Sequence, residues 1–225
     1  MISFKLKFIF VSFLLISFKL CALDQFIKPP EPILSVSSFI LIDANTGTVL
    51  AENNSSMRIE PASLVKIMTT YVAAHAIKAG HANLEDKVIV SEKAWRMEGS
   101  RMFIEVDSEV SVDSLLNGMI IQSGNDASVA LAEHIYGSEA SFVSQMNVFA
   151  EKLELEDTSF GNVTGLPEKE TYTTAKDMVN LSQKLIHEFP EIYKRFSVKS
   201  YTFNNITQRN RNILLRKSGF VDGIK

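Results

Sequence analysis

The chain of 225 residues has a single cysteine, Cys21. No internal disulfide can form, and a structural zinc site lacks its thiolate pair. It has no basic block either: 23 Lys and Arg face 26 Asp and Glu, for a formal charge of −3, so the charge balance gives no support to nucleic-acid binding. The four histidines, His75, His81, His134 and His187, are scattered without ligand spacing and read as ordinary surface or core side chains. Internal repeats and low-complexity stretches are also missing. What remains is the ordinary globular mix, 46% apolar and 22% charged, which excludes disorder and fibrous repeats. The length suggests one domain or a small pair.

Residues 1–22 read as a signal peptide. Lys5 and Lys7 precede an apolar run from Phe8 to Phe18, and Lys19-Leu20-Cys21-Ala22 follows. That order is a charged region, a short apolar region and a small residue at a cleavage point. The run is 11 residues, too short for a comfortable permanent anchor. Cys21, with Lys19 and Leu20 as neighbours, is a poor lipidation site. Cleavage removes three lysines and no acid, leaving 20 basic against 26 acidic residues, an exported and mildly acidic chain. Asn53, Asn54, Asn162 and Asn205 head N-x-S/T triplets, which matter only in a eukaryotic secretory pathway.

Residues 23–37 form a linker stiffened by Pro29-Pro30-Glu31-Pro32. The β-rich stretch Val36–Asp43, the turn Asn45-Thr46-Gly47 and the strand Thr48–Ala51 predict an opening hairpin. Pro61 starts a helix reaching about Ala79, with Gly80 at its end and a stripe of Leu64, Ile67, Met68, Tyr71 and Val72. Leu115, Leu116, Met119 and Ile120 mark a helix before Gln122. Phe142, Val143, Met146, Phe149, Ala150 and Leu153 mark another. Thr174 and Asp177 make a capping-box pattern ahead of Met178, Leu181, Leu185 and Ile186, and Tyr201-Thr202-Phe203 reads as a short strand.

Three short motifs carry chemistry. Ser63-Leu64-Val65-Lys66 opens the Pro61 helix, so the lysine amine shares a face with the serine hydroxyl. A serine attacks only when a base takes its proton, and a lysine is that base only when burial or nearby positive charge lowers its pKa. The helix start adds N–H groups where an oxyanion would form. Alone, about one S-x-x-K arises by chance in a chain this long. Ser123-Gly124-Asn125 lies in the break between two helices. Its hydroxyl can relay a proton, and its amide can hold a carbonyl and the lysine together. Alone it is ordinary turn chemistry.

Together the two motifs resemble the penicillin-recognising serine enzymes, whose set is S-x-x-K, S-D-N and K-T-G. Pro61–Thr69, Gln122–Ala127, Asn162-Val163-Thr164-Gly165-Leu166-Pro167 and Val221-Asp222-Gly223-Ile224-Lys225 resemble the low-molecular-mass D-alanyl-D-alanine carboxypeptidases, over about Ser38 to Lys225. The resemblance implies an α/β (α+β) fold of the β-lactamase and penicillin-binding-protein transpeptidase type. In it an antiparallel sheet packs with helices beside a helical subdomain, about 81–190. It implies Ser63 as nucleophile, Lys66 as general base, Ser123 as proton relay, Asn125 as substrate clamp and Lys225 as the lysine that binds the substrate's terminal carboxylate. The implied partners are a peptidoglycan stem peptide ending in D-Ala-D-Ala and β-lactams as covalent inhibitors, in the periplasm. No cofactor, metal or nucleic acid is implied.

The third motif departs from the family. There Asp-Gly-Ile-Lys runs into Thr-Gly on a strand, whereas here Lys225 is the last residue. Lys217-Ser218-Gly219 also fits K-[ST]-G literally, but the Asp222-Gly223 turn signal leaves it little room for a strand. The resemblance therefore implies an incomplete catalytic domain over 38–225. The Thr-Gly, the second oxyanion-hole N–H, further strands and a membrane-attaching helical tail are missing. On that reading the chain is impaired, and Ile40, Ile42 and the Leu64–Met68 stripe are left partly wet. A catalytically inactive fragment of the family stays open as the alternative. A class A β-lactamase fits less well. It should carry a deacylating glutamate in an E-x-x-L-N loop and aspartate at Gly124, and the chain has neither. The leader reading predicts that amino-terminal sequencing of exported material finds a start near Leu23. An intact Met1 start would make Phe8–Phe18 an anchor instead.

Overall fold

The structure is a computed structural model and describes residues 32–225. The expected leader and the first part of the linker lie outside the described residues. Strands β1 (Phe39–Ile42) and β2 (Val49–Asn53) form the opening hairpin, antiparallel, with Phe39 opposite Asn53 and Ile42 opposite Val49. Asp43 builds its turn. One carboxylate oxygen accepts the N–H groups of Asn45 and Thr46, and Gly47 closes the turn at φ +72.

A 3-10 turn, Ala62–Leu64, leads into helix α1 (Val65–Lys78), and Gly80 follows its end at φ +76. The expected apolar stripe is an underestimate, because 11 of the 14 residues of α1 are buried, including Lys66, Thr69 and Thr70. A helix buried on nearly every side is a central helix, not a surface one. Strand β3 (Lys87–Ile89) pairs antiparallel with β4 (Glu109–Ser111) across a loop that carries the short α2 (Glu92–Trp95). Ser111 caps α3 (Val112–Asn117), which continues as a π turn, Gly118–Gln122. Next come α4 (Asn125–Tyr136), α5 (Glu139–Lys152) and α6 (Ala175–Glu188), all of which touch α1, and the single turn α7 (Pro190–Tyr193). The strand expected at Tyr201–Phe203 is β5 (Ser200–Phe203). It pairs with β6 (Ile206–Arg209) through Asn204 and Asn205, both at positive φ, before a last turn α8 (Leu214–Lys217). Among the described residues the strands form three separate two-stranded antiparallel sheets.

The core gathers on α1. Tyr71 meets Phe149 of α5 and Phe189 edge-on, and its hydroxyl donates to Glu188 at 2.9 Å. Ile40 and Ile42 are half-buried, as expected, but Val65, Ile67 and Met68 are fully buried under the other helices, so the expectation of a wet stripe fails there. The capping pattern of α6 is half realised. The Thr174 hydroxyl accepts the Asp177 N–H at 3.0 Å. The Asp177 carboxylate, instead of turning back, accepts the Asp157 N–H at 3.0 Å and the Thr158 hydroxyl at 2.7 Å. It thereby fastens α6 to the segment that leads to Asn162. Thr174→Ala should lower unfolding free energy by about 1 kcal/mol. Urea denaturation of variant and parent measures it.

Candidate active site

Ser63 and Lys66 stand at the foot of α1. Pro61 precedes a turn in which Ala62 takes φ +45, an unfavourable backbone region for a residue with a Cβ. What holds it there is the loop 162–166. Asn162 Oδ1 accepts the N–H groups of Thr164 (3.0 Å) and Gly165 (2.7 Å), and its Nδ2 donates to Leu166 O at 2.9 Å. Gly165, at φ +80, lies so close beneath the turn that a Cβ would overlap the Ala62 carbonyl. That close approach points the Thr164 carbonyl at the Lys66 amine.

Lys66 is almost wholly buried, 1% exposed. Its Nζ donates to Asn125 Oδ1 at 2.7 Å and to the Thr164 carbonyl. Burial first, and then the positive charge of Arg211, push its pKa down to about 7 against the opposing Asp126 carboxylate. Ser63, by contrast, is exposed and lines an open cavity of about 510 Å³ together with Ser100, Phe103, Gln122, Asn125 and Arg211.

The π turn fixes the second motif. Ser123 follows it at φ +67, and its hydroxyl is buried without a hydrogen-bond partner among the described residues. Such an orphan calls for an explanation. Asn125 opens α4. Its Oδ1 faces Lys66, its Nδ2 donates to Glu98 O at 2.7 Å, and its N–H donates to Ser100 O at 2.6 Å. The amide is therefore fixed end to end, oxygen toward the lysine and nitrogen toward the loop.

Lys225 reaches the same region from the far end of the chain. It is half-buried, and its Nζ donates to the Met119 and Ile120 carbonyls, each at 3.3 Å. Burial and the facing charges of Lys66 and Arg211 push it down to about 7. Lys217 is exposed at the end of α8 and does not line the cavity. The structure thus brings Lys66 and Asn125 into contact, sets Ser63 and Asn125 on one cavity, and seats Lys225 on the turn before Ser123. Sequence reasoning missed the groups that hold them. Thr164 and Gly165 lie in a motif to which the resemblance assigns no role. Arg211 and Ser100 belong to no motif, yet the Arg211 guanidinium donates to the Ser100 hydroxyl at 2.9 Å, and that hydroxyl donates to Gln122 O at 3.1 Å. Among these groups Arg211 is a fixed cation beside two amines, Lys66 and Lys225, whose pKa values are lowered alike, and its field favours an anionic ligand.

The family model described as D-alanyl-D-alanine carboxypeptidase matches residues 26–225. The chain is 44% identical over 211 residues to D-alanyl-D-alanine carboxypeptidase DacC of Escherichia coli, covering 91% of this chain and 52% of that protein. It is 39% identical over 225 residues to DacA of Haemophilus influenzae, covering 98% and 57%. The chain spans about half the length of the curated relatives it matches. Among solved structures, penicillin binding protein 5 from Haemophilus influenzae superposes with a TM-score of 0.81 at 41% identity, over 83% of this chain and 55% of that one. The fold is the penicillin-binding-protein type that the motifs led us to expect. Gly165→Ala should cost about 2 kcal/mol or more, since it combines a left-handed backbone with an overlap at Ala62. Chemical denaturation against the parent checks it.

Proposed function

Because the chain belongs to the D-alanyl-D-alanine carboxypeptidase family, we propose that it is a serine acyl-transfer enzyme acting on peptidoglycan stem peptides that end in D-Ala-D-Ala. The observation that carries this reading is the state of Lys66. A neutral amine has two N–H groups and one lone pair. Lys66 spends both donors on Asn125 Oδ1 and the Thr164 carbonyl, and a pKa near 7 leaves the lone pair free for a proton at neutral pH. It lies one helical turn from Ser63, which opens on the cavity.

In this mechanism the Ser63 hydroxyl loses its proton to Lys66 as its oxygen attacks the penultimate D-Ala carbonyl carbon. The oxyanion collapses, the C–N bond breaks, and the departing D-Ala amine takes a proton relayed through the Ser123 hydroxyl. That role accounts for a buried hydroxyl with no resting partner. Asn125 holds the lysine and presents its remaining N–H to the substrate. Lys225, with Arg211 beside it, faces the terminal carboxylate. Water then attacks the Ser63 ester and releases the shortened peptide. A β-lactam would enter by the same attack on its lactam carbonyl and remain as a covalent adduct. The site of action is the bacterial periplasm, where the stem peptides lie.

A labelled penicillin should attach at Ser63, and Ser63→Ala should take no label. Lys66→Ala should slow labelling by several orders of magnitude, as loss of the base of a nucleophile pair does. The sign of the pH dependence follows from the depressed lysine. Only the neutral amine accepts the proton, so the labelling rate climbs about tenfold per pH unit below about 7 and levels above it. Label retained by Ser63→Ala would overturn the assignment.

A further inference from the structure

Asp126 is a buried acid with no part in the acyl-transfer steps. It is 1% exposed, on the first turn of α4, directly after Asn125. A buried carboxylate needs compensation. Among the described residues no cation pairs with it, and backbone N–H groups supply the compensation. One oxygen accepts from Met102 at 3.0 Å and from Ala127 at 2.8 Å. The other accepts from Phe103 at 2.9 Å and, more weakly, from Ile104 at 3.4 Å. Three successive amides of one loop thus converge on one side chain.

That loop is the one that fixes Asn125. Its Glu98 carbonyl takes the Asn125 Nδ2, and its Ser100 carbonyl takes the Asn125 N–H. Phe103 stands at φ +67, a costly conformation for a bulky residue, and forms part of the cavity wall. Gly124 belongs to the same arrangement. Its φ of −60 suits any residue, yet a Cβ there would meet the Asp126 oxygen at 2.9 Å, and Met102 N and Gly118 O at 3.3 Å.

We propose that Asp126 is a positioning residue for the acyl transfer: by pinning the backbone of Met102–Ile104 it holds the loop that turns the Asn125 amide oxygen toward Lys66, and Gly124 is glycine to leave that carboxylate room. The proposal rests on the acyl-transfer reading of Ser63. Without the Glu98 carbonyl in place, only the contact with Lys66 itself would set which end of the Asn125 amide faces the amine.

The test compares Asp126→Asn with the parent, as full chains, by two readouts. One is labelling by penicillin. The other is titration of Lys66 Nζ by NMR after nitrogen-15 lysine labelling. The asparagine keeps the shape but turns an NH2 group toward the loop's own N–H groups. Labelling above pH 8 should fall about 10- to 100-fold, the penalty of a small misplacement in a reacting constellation. The Lys66 midpoint should move to lower pH, because the charge opposing burial and Arg211 is gone. A variant that merely melts earlier, with parental labelling and a parental Lys66 midpoint, overturns the proposal. Gly124→Ala keeps the charge and crowds the carboxylate. It should slow labelling with a smaller midpoint shift, and it decides the question if Asp126→Asn does not fold, since parental labelling in Gly124→Ala also overturns the proposal. A parent that takes no label removes the acyl-transfer reading instead, and the Lys66 midpoint then decides the coupling on its own.

Discussion

An amine buried at the foot of a central helix must find acceptors there or give up its proton, and Lys66 meets both demands. Much of the surrounding architecture follows from that burial. α1 is covered on nearly every side, so its lysine cannot extend to water. One acceptor comes from the 162–166 loop, which has to press against the Ala62–Ser63 turn to deliver the Thr164 carbonyl. Only a glycine at position 165 allows that approach. The other acceptor comes from Asn125, whose orientation depends on the 98–104 loop. Two segments far apart in the chain are therefore held to one nitrogen atom.

The end of the α3 helix solves a second problem with the same residues. A helix terminus leaves carbonyls without intrahelical partners. Here Gly118 O accepts the Gly124 N–H, Met119 and Ile120 accept Lys225, Ile121 accepts the Arg211 N–H, and Gln122 accepts the Ser100 hydroxyl. The π turn and the left-handed Ser123 are the backbone shape that allows each of these contacts. Because two of the partners are Lys225 and Arg211, satisfying the carbonyls also gathers these residues beside Lys66. Packing and electrostatics are here one arrangement.

How much of this is legible in the sequence depends on the range of each interaction. The hairpin at Asn45–Gly47, the Thr174 cap and the paired Ser63 and Lys66 rest on residues within a few positions of one another, and pattern reading finds them. The burial of α1 is set by three other helices, so a stripe of five residues was all that periodicity could indicate. β3 and β4 are three residues each and separated by a long loop, too short for alternation to register. The Asp177 side chain leaves its own helix for Asp157 and Thr158, which a local capping rule cannot foresee. Arg211 shapes the field at Lys66 only because β5 and β6 fold back, and nothing in the stretch Asn210-Arg211-Asn212 marks it.

The depressed lysines also set a thermodynamic cost on the site. Lys66 and Lys225 both lie near 7 in the folded chain and at the ordinary 10.5 when exposed. Between those values the unfolded chain holds protons that the folded chain has released. By linkage their contribution to folding rises with pH across that window and is least favourable below about 7, where both must be charged within one small region. An amine able to accept a proton at neutral pH is thus present because folding has been made harder there, the kind of trade between stability and activity that the proposed role of Lys66 would require. The Asp126 carboxylate moderates it. It is close enough to hold part of the Lys66 proton affinity, yet its own charge is met by backbone amides and not by the lysine. An ion pair at that place would have kept Lys66 protonated and unable to serve as the base proposed for Ser63. Compensating the acid with N–H dipoles keeps the charge nearby without that loss.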